Sequence, residues 1–401
     1  MSVQHQFQQV ESDEALALGT EPIPAGPYYQ DDYFDLERES IFRRTWLNIG
    51  HICELPEAGS FIVCQFDFAN ASILITRGKD GIIRAFHNVC THRGTQLTTE
   101  ICGKRSAFTC PYHGWTFNNN GELRSAPDFD RFYVEKKDCG LPKVSVDVCA
   151  GLVFVNLDPS PKQSLREYLG PLAEQLEMQP VAKATTFSEY VYEIDANWKL
   201  TYDNFQENYH LRFIHPRSGG GGAVGPENPF GYPTRYAFYG EHRTQTIWTN
   251  PAPQLSATQK LAFGKLVPAL MQRGMMNSAH ARAYYALFPN FFLLGTPTQH
   301  FSHYVMPISA RKSRGVIRLY WVGDDMNASE RFGREFSMAM ARDVHSEDRA
   351  VIEAGQRGLN SGALKCIHLQ GQEVLLRHLM HTVDAKVQAY KAELASAGDK
   401  K

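Results

Sequence analysis

The chain has 401 residues and a formal net charge of −2, with 43% hydrophobic and 21% charged residues. These proportions are typical of a globular protein, and the near-neutral charge argues against a nucleic-acid partner. A chain of this length predicts two domains, each with enough apolar residues for its own core.

The N-terminal segment carries no recognisable secretion signal. Residues 1–25 are polar and acidic and predict a loosely ordered arm, and the longest apolar runs of the chain are too short to span a bilayer. We therefore expect no membrane partner and, for the eight cysteines, reduced thiols in the cytoplasm. Residues 31–46 then predict a short amphipathic helix, because large apolar side chains recur there at mostly helical spacing.

A β-rich region follows, from residue 47 to about residue 155. Short β-branched and aromatic runs alternate there with turn-forming stretches such as RGKDG (77–81) and NNNG (118–121). This alternation predicts a small antiparallel sandwich or barrel. The stretch DPSPK at 158–162 marks the predicted domain boundary, because proline and serine interrupt regular structure.

The remaining residues predict a second, larger domain of the α+β class. A strand at 186–194, a helix at 197–209 and a glycine-rich loop at 216–229 precede several further strand-like runs. Two long helices, at 329–354 and 370–394, close the chain. This order of elements predicts an antiparallel sheet covered by helices.

Two cysteine–histidine pairs stand in the turn-rich part of the β region. Cys90 and His92 have one residue between them, Cys110 and His113 have two, and seventeen residues separate the pairs. Zinc is the usual metal for such ligands, but zinc fingers tend to keep the two cysteines in one pair and the two histidines in the other. Mixed pairs instead favour a [2Fe–2S] cluster whose cysteines hold one iron and whose histidines hold the other.

A second group of candidate metal ligands lies on the predicted helix 197–209 and just beyond it. Glu207 and His210 are three residues apart and would share a helical face. Pro216 favours a helix end nearby, which would turn His215 back toward His210. Glutamate and histidine at this spacing are also common on helix surfaces, so the pattern alone leaves a surface pair open.

Asp348 is the candidate for a third ligand, far downstream. It lies in a helical segment beside apolar residues, whereas its neighbours Glu347 and Asp343 are expected at the surface. Two histidines and one carboxylate form the metal site of non-haem Fe(II) oxygenases. The sequence therefore predicts such a site, provided that the fold brings the distant residues together.

Taken together, these motifs resemble one known family. The runs CTHRG (90–94) and CPYHGW (110–115), the Glu-x-x-His-x-x-x-x-His segment, and an aspartate in a helix that leads into QRGL (356–359) are similar to the α, or terminal oxygenase, subunits of Rieske non-haem iron oxygenases. The resemblance extends from about residue 34 to about residue 383. Glu207 stands where most of the family has aspartate, which resembles the branch that includes carnitine monooxygenase. The context ENYH (207–210) and HP (215–216) also resembles choline and glycine betaine monooxygenases, and related ring-hydroxylating oxygenases share parts of it.

The resemblance implies a domain organisation and two iron centres. Residues 1–45 would form an arm and a helix packed on the catalytic domain, 46–160 the Rieske domain, and 161–401 a catalytic domain of the helix-grip type. The [2Fe–2S] cluster would be bound by Cys90, His92, Cys110 and His113. A mononuclear Fe(II) would be bound by His210, His215 and Asp348.

The resemblance also implies how electrons reach the substrate. In a homotrimer, Glu207 would connect the cluster of one subunit with the iron of the next, and Asp203 is a second candidate for that role. Electrons from NAD(P)H would come through a separate reductase, and in some systems a ferredoxin, since the chain has neither a GxGxxG strand–turn–helix unit nor the cysteine pattern of plant-type ferredoxins. The enzyme would then use O₂ to hydroxylate, dihydroxylate or oxidatively dealkylate a small aromatic or quaternary ammonium substrate. A β subunit is a further partner that some such enzymes have.

Two other functions stay open at this point. A Rieske protein could carry electrons without oxygenase activity, and a zinc-stabilised protein could simply bind a ligand. The first would not need the three downstream ligands. The second would be colourless, whereas a Rieske cluster makes a protein red-brown.

Overall fold

The computed structural model describes residues 17–216, 218, 222–275, 283–296, 299–323 and 326–398. The first 16 residues of the predicted N-terminal arm and part of the predicted glycine-rich loop lie outside these residues. The chain divides into two compact units. The smaller unit comprises residues 42–168, and the larger unit comprises the segments before and after it.

The N-terminal segment belongs to the larger unit and contributes a short strand, β1 (Ile23–Pro24), and a helix, α1 (Asp31–Glu37). A single π-helical turn, Arg38–Phe42, follows α1 directly. Counted together with this π turn, the helix predicted at 31–46 ends at Phe42, four residues early. The wider π turn still buries both Ile41 and Phe42 completely.

A buried ion pair fastens α1 to the rest of the larger unit. The Nζ atom of Lys199 lies 2.6 Å from Oε1 of Glu37, and the indole N–H of Trp198 donates to Oε2 of Glu37 at 3.0 Å. All three side chains are fully buried. Removing one partner of a buried pair leaves the other charge unpaired, which typically costs about 3–5 kcal/mol. The pair therefore fixes the position of α1.

The smaller unit consists of antiparallel strands, as the β-rich sequence predicts. They are β2 (Leu47–His51), β3 (Ser60–Phe66), β4 (Ala71–Arg77), β5 (Ile83–His87), β6 (Cys102–Lys104), β7 (Ala107–Thr109), β8 (Thr116–Asn118), β9 (Leu123–Ser125), β10 (Lys143–Cys149) and β11 (Leu152–Asn156). One sheet has seven strands in the order β2-β11-β10-β5-β4-β3-β6, and the other has three in the order β7-β8-β9. Phe61, Phe108 and Phe117 form part of a core that also buries Cys90 and Cys110.

Two short helices, α2 (Leu165–Leu169) and α3 (Leu172–Glu177), follow in the sequence. The larger unit then forms one seven-stranded antiparallel sheet in the order β12-β18-β17-β16-β15-β14-β13. Its strands are β12 (Thr186–Ile194), β13 (Arg235–Tyr239), β14 (His242–Thr246), β15 (Ala283–Leu287), β16 (Phe291–Thr296), β17 (Gln299–Ser309) and β18 (Lys312–Trp321). A separate strand, β19 (Cys366–Ile367), pairs with β1.

Helices of the larger unit pack on this sheet or on one another, which confirms the predicted α+β class. They are α4 (Trp198–Asp203), α5 (Leu211–Ile214), α6 (Ala257–Gln272), α7 (Ala328–Asn360) and α8 (Val374–Gly398). Helix α7 contacts β12 where the ring of His345 lies 3.7 Å from the ring of Tyr192, centroid to centroid. It extends six residues beyond the predicted end at 354, because Gln356 is buried and accepts a hydrogen bond from the backbone N–H of Asn197 at 2.8 Å.

None of the described helices is both long and apolar enough to cross a membrane. All eight cysteines lie within the described residues, and none of them forms a disulfide bond there.

Gly315 of β18 gives a direct test of how tightly the sheet and α7 are packed. A Cβ atom at this position would overlap the ring of Tyr192 on the neighbouring strand. We expect Gly315→Ala to lower the free energy of unfolding by about 1–3 kcal/mol, because the overfilled site must displace a buried ring. The matched control is Gly264→Ala in α6, where nothing lies within 4 Å of the added atom. That variant should be more stable by about 0.5–1 kcal/mol. Denaturant unfolding of both variants measures the difference, and equal stabilities would contradict the packing described.

Candidate active site

The two cysteine–histidine pairs lie in two loops of the smaller unit that have the same backbone design. In the first loop, the N–H of Gly94 donates to the carbonyl of Cys90 at 2.9 Å, and in the second, the N–H of Gly114 donates to the carbonyl of Cys110 at 3.1 Å. Both glycines have a positive φ, +78° and +71°, which side-chain-bearing residues rarely adopt. Each motif therefore closes into a tight turn that presents one cysteine and one histidine.

The cysteine of each loop contacts the cysteine of the other, and the two histidines also contact each other. Burial raises the pKa of the Cys90 thiol, and a hydrogen bond with the Cys110 thiol raises it further. The rings of His92 and His113 lie 4.5 Å apart, and the Nδ1 atom of His92 is buried without a hydrogen-bond partner among the described residues. Desolvation lowers the pKa of His113 and so favours the neutral imidazole that a metal requires.

Thiols paired with thiols and imidazoles paired with imidazoles suit two metals, each holding one kind of ligand. A single zinc ion would instead draw all four ligands to one point. The arrangement in the smaller unit therefore fits a [2Fe–2S] cluster of the Rieske type. Trp115 stacks on His92, with ring centroids 5.0 Å apart, and covers the site from the core side.

The second group of ligands lies in the larger unit, on a segment that is not the predicted helix. Helix α4 ends at Asp203, and residues 204–210 form turns before the short helix α5. The helix predicted at 197–209 therefore ends six residues early. Hydrogen bonds between residues three apart replace the helical ones that span four. The N–H of Phe205 donates to the carbonyl of Tyr202, and the N–H of Gln206 donates to the carbonyl of Asp203.

Two buried amide side chains hold this non-helical segment in place, one on each side of Glu207. Gln206 accepts a hydrogen bond from the Nε atom of Arg243 on β14 at 2.6 Å. Asn208 donates to the carbonyl of Gly231 at 2.9 Å. Gln206 and Asn208 are both buried, so Glu207 lies between two fixed points. The sequence predicted this segment as a helix, and nothing in its spacing indicated the two anchors.

Asp203 is the second candidate that the sequence offered for the role of Glu207, and its described hydrogen bonds go to Tyr28 and Gln206 rather than to a histidine. It is buried, accepts a hydrogen bond from the Tyr28 hydroxyl at 2.7 Å and another from Gln206 at 3.3 Å. Burial raises the pKa of Asp203 to about 7. Its described contacts support the end of α4 and the anchor Gln206.

His210, His215 and Asp348 converge, even though Asp348 comes from the distant helix α7. Their ligand atoms all lie within 4.8 Å of one another, and they form the one such group of three among the described residues. The Nε2 atoms of His215 and His210 lie 2.7 Å and 3.7 Å from Oδ1 of Asp348. Neither His215 Nε2 nor Asp348 Oδ1 makes a hydrogen bond of acceptable geometry within the described structure. The three atoms therefore point at a shared space, as ligands of one metal do.

A carboxylate fixes the outer nitrogen of each histidine. Oε1 of Glu207 is hydrogen-bonded to Nδ1 of His210, and Oε2 of Glu347 lies 2.7 Å from Nδ1 of His215. The hydroxyl of Ser218 also contacts Glu347. Metal-binding histidines commonly have such carboxylate partners, which orient the ring and keep the inner nitrogen free for the metal. The residues present therefore fit a mononuclear iron with two histidines and one carboxylate.

Glu347 is the site residue that the sequence did not identify. It was predicted to be a surface neighbour of Asp348, and its side chain is indeed 39% exposed. Its contact with His215 links residues 132 positions apart. No local pattern could have indicated that contact.

Asp203→Asn should remove a pH-dependent part of the stability. The carboxyl has a pKa of about 7 in the folded chain and about 4 when unfolded, so the folded state holds a proton that the unfolded state releases. Its contribution to the free energy of unfolding therefore falls as the pH rises from about 4 to 7, by up to about 1.4 kcal/mol per pH unit. Above pH 7 the contribution is constant.

Urea unfolding of both proteins between pH 5 and 8 measures this effect. The stability of the unmodified chain relative to Asp203→Asn should fall up to about pH 7 and then level off. A difference that does not change with pH would contradict the burial of a protonated Asp203.

Two family models match the chain, in agreement with this geometry. Residues 181–389 match the ring hydroxylating alpha subunit (catalytic domain), and residues 45–144 match the Rieske [2Fe-2S] domain. The first match alone covers about half of the chain.

Curated relatives are similar over part of their length. The glycine betaine monooxygenase oxygenase subunit of Pseudomonas aeruginosa is 34% identical over 196 residues, which are 47% of this chain and 44% of that protein. The carnitine monooxygenase oxygenase subunit of Escherichia coli is 34% identical over 198 residues, 48% of this chain and 52% of that protein. The match thus spans about half the length of these curated relatives.

Solved structures share the fold over nearly the whole chain. The quaternary ammonium Rieske monooxygenase CntA in complex with L-carnitine has a TM-score of 0.74 and 24% identity, and the match covers 93% of this chain and 97% of that one. The resemblance predicted from the sequence is confirmed: the chain belongs to the family of ring-hydroxylating oxygenase α subunits and carries a Rieske [2Fe–2S] domain together with the catalytic domain of that family.

Proposed function

We propose that the chain is the terminal oxygenase component of a multi-component enzyme that oxidises a small organic substrate with O₂. The observation that carries the proposal is the convergence of His210, His215 and Asp348 in the same chain as the two cysteine–histidine loops. An electron carrier would need only the loops. A zinc-stabilised binding protein would need neither the paired imidazoles nor a second metal site.

In this proposal, Cys90 and Cys110 hold one iron of the cluster, and His92 and His113 hold the other. The bound cluster supplies one-electron transfer at a potential raised by its neutral imidazole ligands. Electrons come from NAD(P)H through a separate reductase, with a ferredoxin between them in some systems. A cytoplasmic location is part of the proposal, since the sequence predicts reduced thiols there.

His210, His215 and Asp348 would hold the mononuclear iron on one side. The bound iron supplies the reduction of O₂ beside the substrate. Glu207 and Glu347 would keep the proton of each imidazole on Nδ1, so that the Nε2 lone pairs point toward the metal. Gln206 and Asn208 would keep Glu207 hydrogen-bonded to His210 while the substrate binds and leaves.

We further propose that the enzyme is a homotrimer in which Glu207 also accepts a hydrogen bond from His113 of the partner subunit. One carboxylate would then connect the cluster of one subunit with the iron of the next. Glutamate is one methylene longer than the aspartate usual in the family, and the added length allows it to contact His210 and still reach outward. The position of Glu207 between two buried anchors supports this role.

A quaternary ammonium compound is the proposed substrate. The relatives named above are oxygenases of glycine betaine and carnitine, both of which are quaternary ammonium compounds. Three carboxylate side chains, those of Glu207, Glu347 and Asp348, lie against the two histidines, a setting that favours a cation. Hydroxylation of an N-methyl group would insert one oxygen atom of O₂ and leave the other as water. The product would then release formaldehyde and leave a tertiary amine.

Oxygen consumption tests this function directly. The purified chain, given electrons by a surrogate reductase, should consume O₂ faster with quaternary ammonium compounds and should release formaldehyde in proportion to the O₂ consumed.

His210→Ala and Asp348→Ala should keep the visible absorption of the cluster but fall from three irons per chain to two, because each loses a ligand of the mononuclear site. The exposed His381 provides the control His381→Ala, which should keep all three irons. Unchanged iron content in both ligand variants would refute the assignment.

Glu207→Gln tests the connecting carboxylate. The variant should keep three irons per chain, but substrate-coupled turnover should fall by about 10- to 100-fold, because a neutral amide cannot hold both imidazoles in the required protonation state. Glu207→Asp should retain part of the activity. Iron analysis and product yield per O₂ consumed measure the effect. Normal turnover in Glu207→Ala would rule out the proposed role.

A further inference from the structure

A buried tyrosine–histidine pair lies in the larger unit and takes no part in the function proposed so far. Tyr192 belongs to β12 and His303 to β17, and both side chains are at most 5% exposed. The Tyr192 hydroxyl and Nε2 of His303 are hydrogen-bonded at 2.6 Å. Burial raises the pKa of Tyr192 well above its usual range and lowers the pKa of His303 well below its own, so both side chains are neutral near pH 7.

The phenol is the donor of this hydrogen bond. The Tyr192 hydroxyl makes no second hydrogen bond among the described residues, so the opposite arrangement would bury its proton without an acceptor. An unsatisfied buried polar group typically costs about 1–3 kcal/mol. The one proton of the neutral imidazole then lies on Nδ1, and Nε2 is the acceptor. The buried phenol therefore has a base in contact with its proton.

Two other buried tyrosines of the same unit lack such a base. The Tyr202 hydroxyl donates to the backbone carbonyl of Phe291 at 2.7 Å, and the Tyr284 hydroxyl has no hydrogen-bond partner among the described residues. A phenol that loses an electron becomes strongly acidic, so its oxidation is favourable where a neighbouring base takes the proton. An imidazole is a much stronger base than a carbonyl. Tyr192 is therefore better suited to one-electron oxidation than Tyr202 or Tyr284.

Tyr192 also lies close to the proposed iron site. The ring of His345 on α7 is 3.7 Å from the ring of Tyr192, centroid to centroid. His345 and Asp348 are three residues apart on α7, a spacing at which Cβ atoms lie about 5–6 Å from each other. The charge of Asp348 also contributes to the raised pKa of Tyr192. Short steps through packed side chains thus connect a proposed iron ligand with the phenol.

A second tyrosine extends from Tyr192 toward the surface. The rings of Tyr190 and Tyr192 stack with their centroids 5.7 Å apart. Tyr190 is only partly buried, whereas Tyr192 is buried completely enough to be out of reach of a solute. Electrons pass readily between aromatic rings at such contact distances. Tyr190 therefore connects the buried phenol with reductants in solution.

We propose that Tyr192, with His303 as its proton acceptor, is a redox-active residue that removes an oxidising equivalent from the iron site when no substrate is there to consume it. This inference rests on the proposed function, because such an oxidant forms only where O₂ is reduced. The oxidant is peroxide, the two-electron reduction product of O₂. Its transfer to Tyr192 spares the histidine ligands from oxidation.

The step balances with ferrous iron and Tyr192 as the two electron donors. Peroxide accepts one electron from each, takes two protons from solvent and becomes two water molecules, while the iron becomes ferric. The phenol proton moves to Nε2 of His303, which leaves a neutral tyrosyl radical beside an imidazolium. Tyr190 then passes an electron to Tyr192 and its own proton to solvent, and His303 returns the proton to Tyr192. A thiol in solution restores Tyr190 by giving up one hydrogen atom.

Electron paramagnetic resonance after peroxide addition tests the inference without turnover. The purified holoprotein, with ferrous mononuclear iron, an oxidised cluster and no substrate, is mixed anaerobically with hydrogen peroxide and rapidly frozen. We expect an organic-radical signal that narrows when the protein is made with ring-deuterated tyrosine. A sample whose mononuclear iron has been removed by chelation should give no such signal.

Variants assign the radical to its residue. Tyr192→Phe should abolish the signal, and His303→Leu should also abolish it, because the phenol is intact but its proton has no acceptor. Tyr190→Phe should prolong the signal by blocking the way out. The matched control is Tyr202→Phe, which removes the hydroxyl of another buried tyrosine and should keep the signal. If His303→Leu fails to fold, Tyr192→Phe, which removes a single oxygen atom, decides alone.

Mass spectrometry gives a second, independent measurement. After equal peroxide treatment, Tyr192→Phe should carry more added oxygen on His210 and His215 than the unmodified chain or Tyr202→Phe. A purely structural role of Tyr192 would leave this distribution of damage unchanged.

An undiminished tyrosyl signal in Tyr192→Phe, no organic radical in the iron-loaded unmodified protein, or equal loss in Tyr202→Phe would overturn the inference. Any of these results together with normal substrate-dependent O₂ consumption would overturn it alone and leave the oxygenase proposal standing. Absence of the mononuclear iron from the purified protein would refute both.

Discussion

The convergence of His210, His215 and Asp348 is the constraint on which the rest of the larger unit depends. Three ligand atoms must lie within 4.8 Å of one another, although they come from a turn, the end of a four-residue helix and a helix of 33 residues. Such closeness is unfavourable without a metal, because the atoms are buried and cannot all hydrogen-bond with one another. The surrounding structure must therefore hold them in place.

Two kinds of contact provide that support. The outer nitrogens of the histidines are fixed by Glu207 and Glu347, and Glu207 is itself held between the buried amides of Gln206 and Asn208. Farther out, the Glu37–Lys199 pair and the contacts of Asp203 fix helix α4, whose end determines where this segment begins. The geometry of the proposed mononuclear iron site thus depends on polar groups that are almost all buried and paired. The unsatisfied nitrogens of His303 and His345 stand out against that background.

The parts of the site that sequence could predict are the local ones. The cysteine–histidine pairs each lie within one tight turn, so four adjacent residues with a glycine are sufficient to define their geometry. His210 and His215 were also identified from spacing, although the helix expected to bring Glu207 and His210 together ends at Asp203. Their closeness comes from a turn instead, because side chains of the segment hydrogen-bond to distant strands and loops. Asp348 was proposed from its place beside apolar residues in a helix, and the family resemblance supported that choice. Glu347, His303 and His345 have no local pattern, because their contacts span more than a hundred residues or cross the sheet.

The central claim is that one chain holds both a Rieske cluster and a separate mononuclear iron. Iron and acid-labile sulfide analysis of the purified red-brown protein tests it most directly, combined with mild chelation. We expect three irons and two sulfides per chain, and chelation should remove one iron while the cluster absorption stays unchanged. Two irons and two sulfides, none of the iron removable without bleaching the cluster, would contradict it. A colourless protein that contains zinc and no sulfide would contradict it as well.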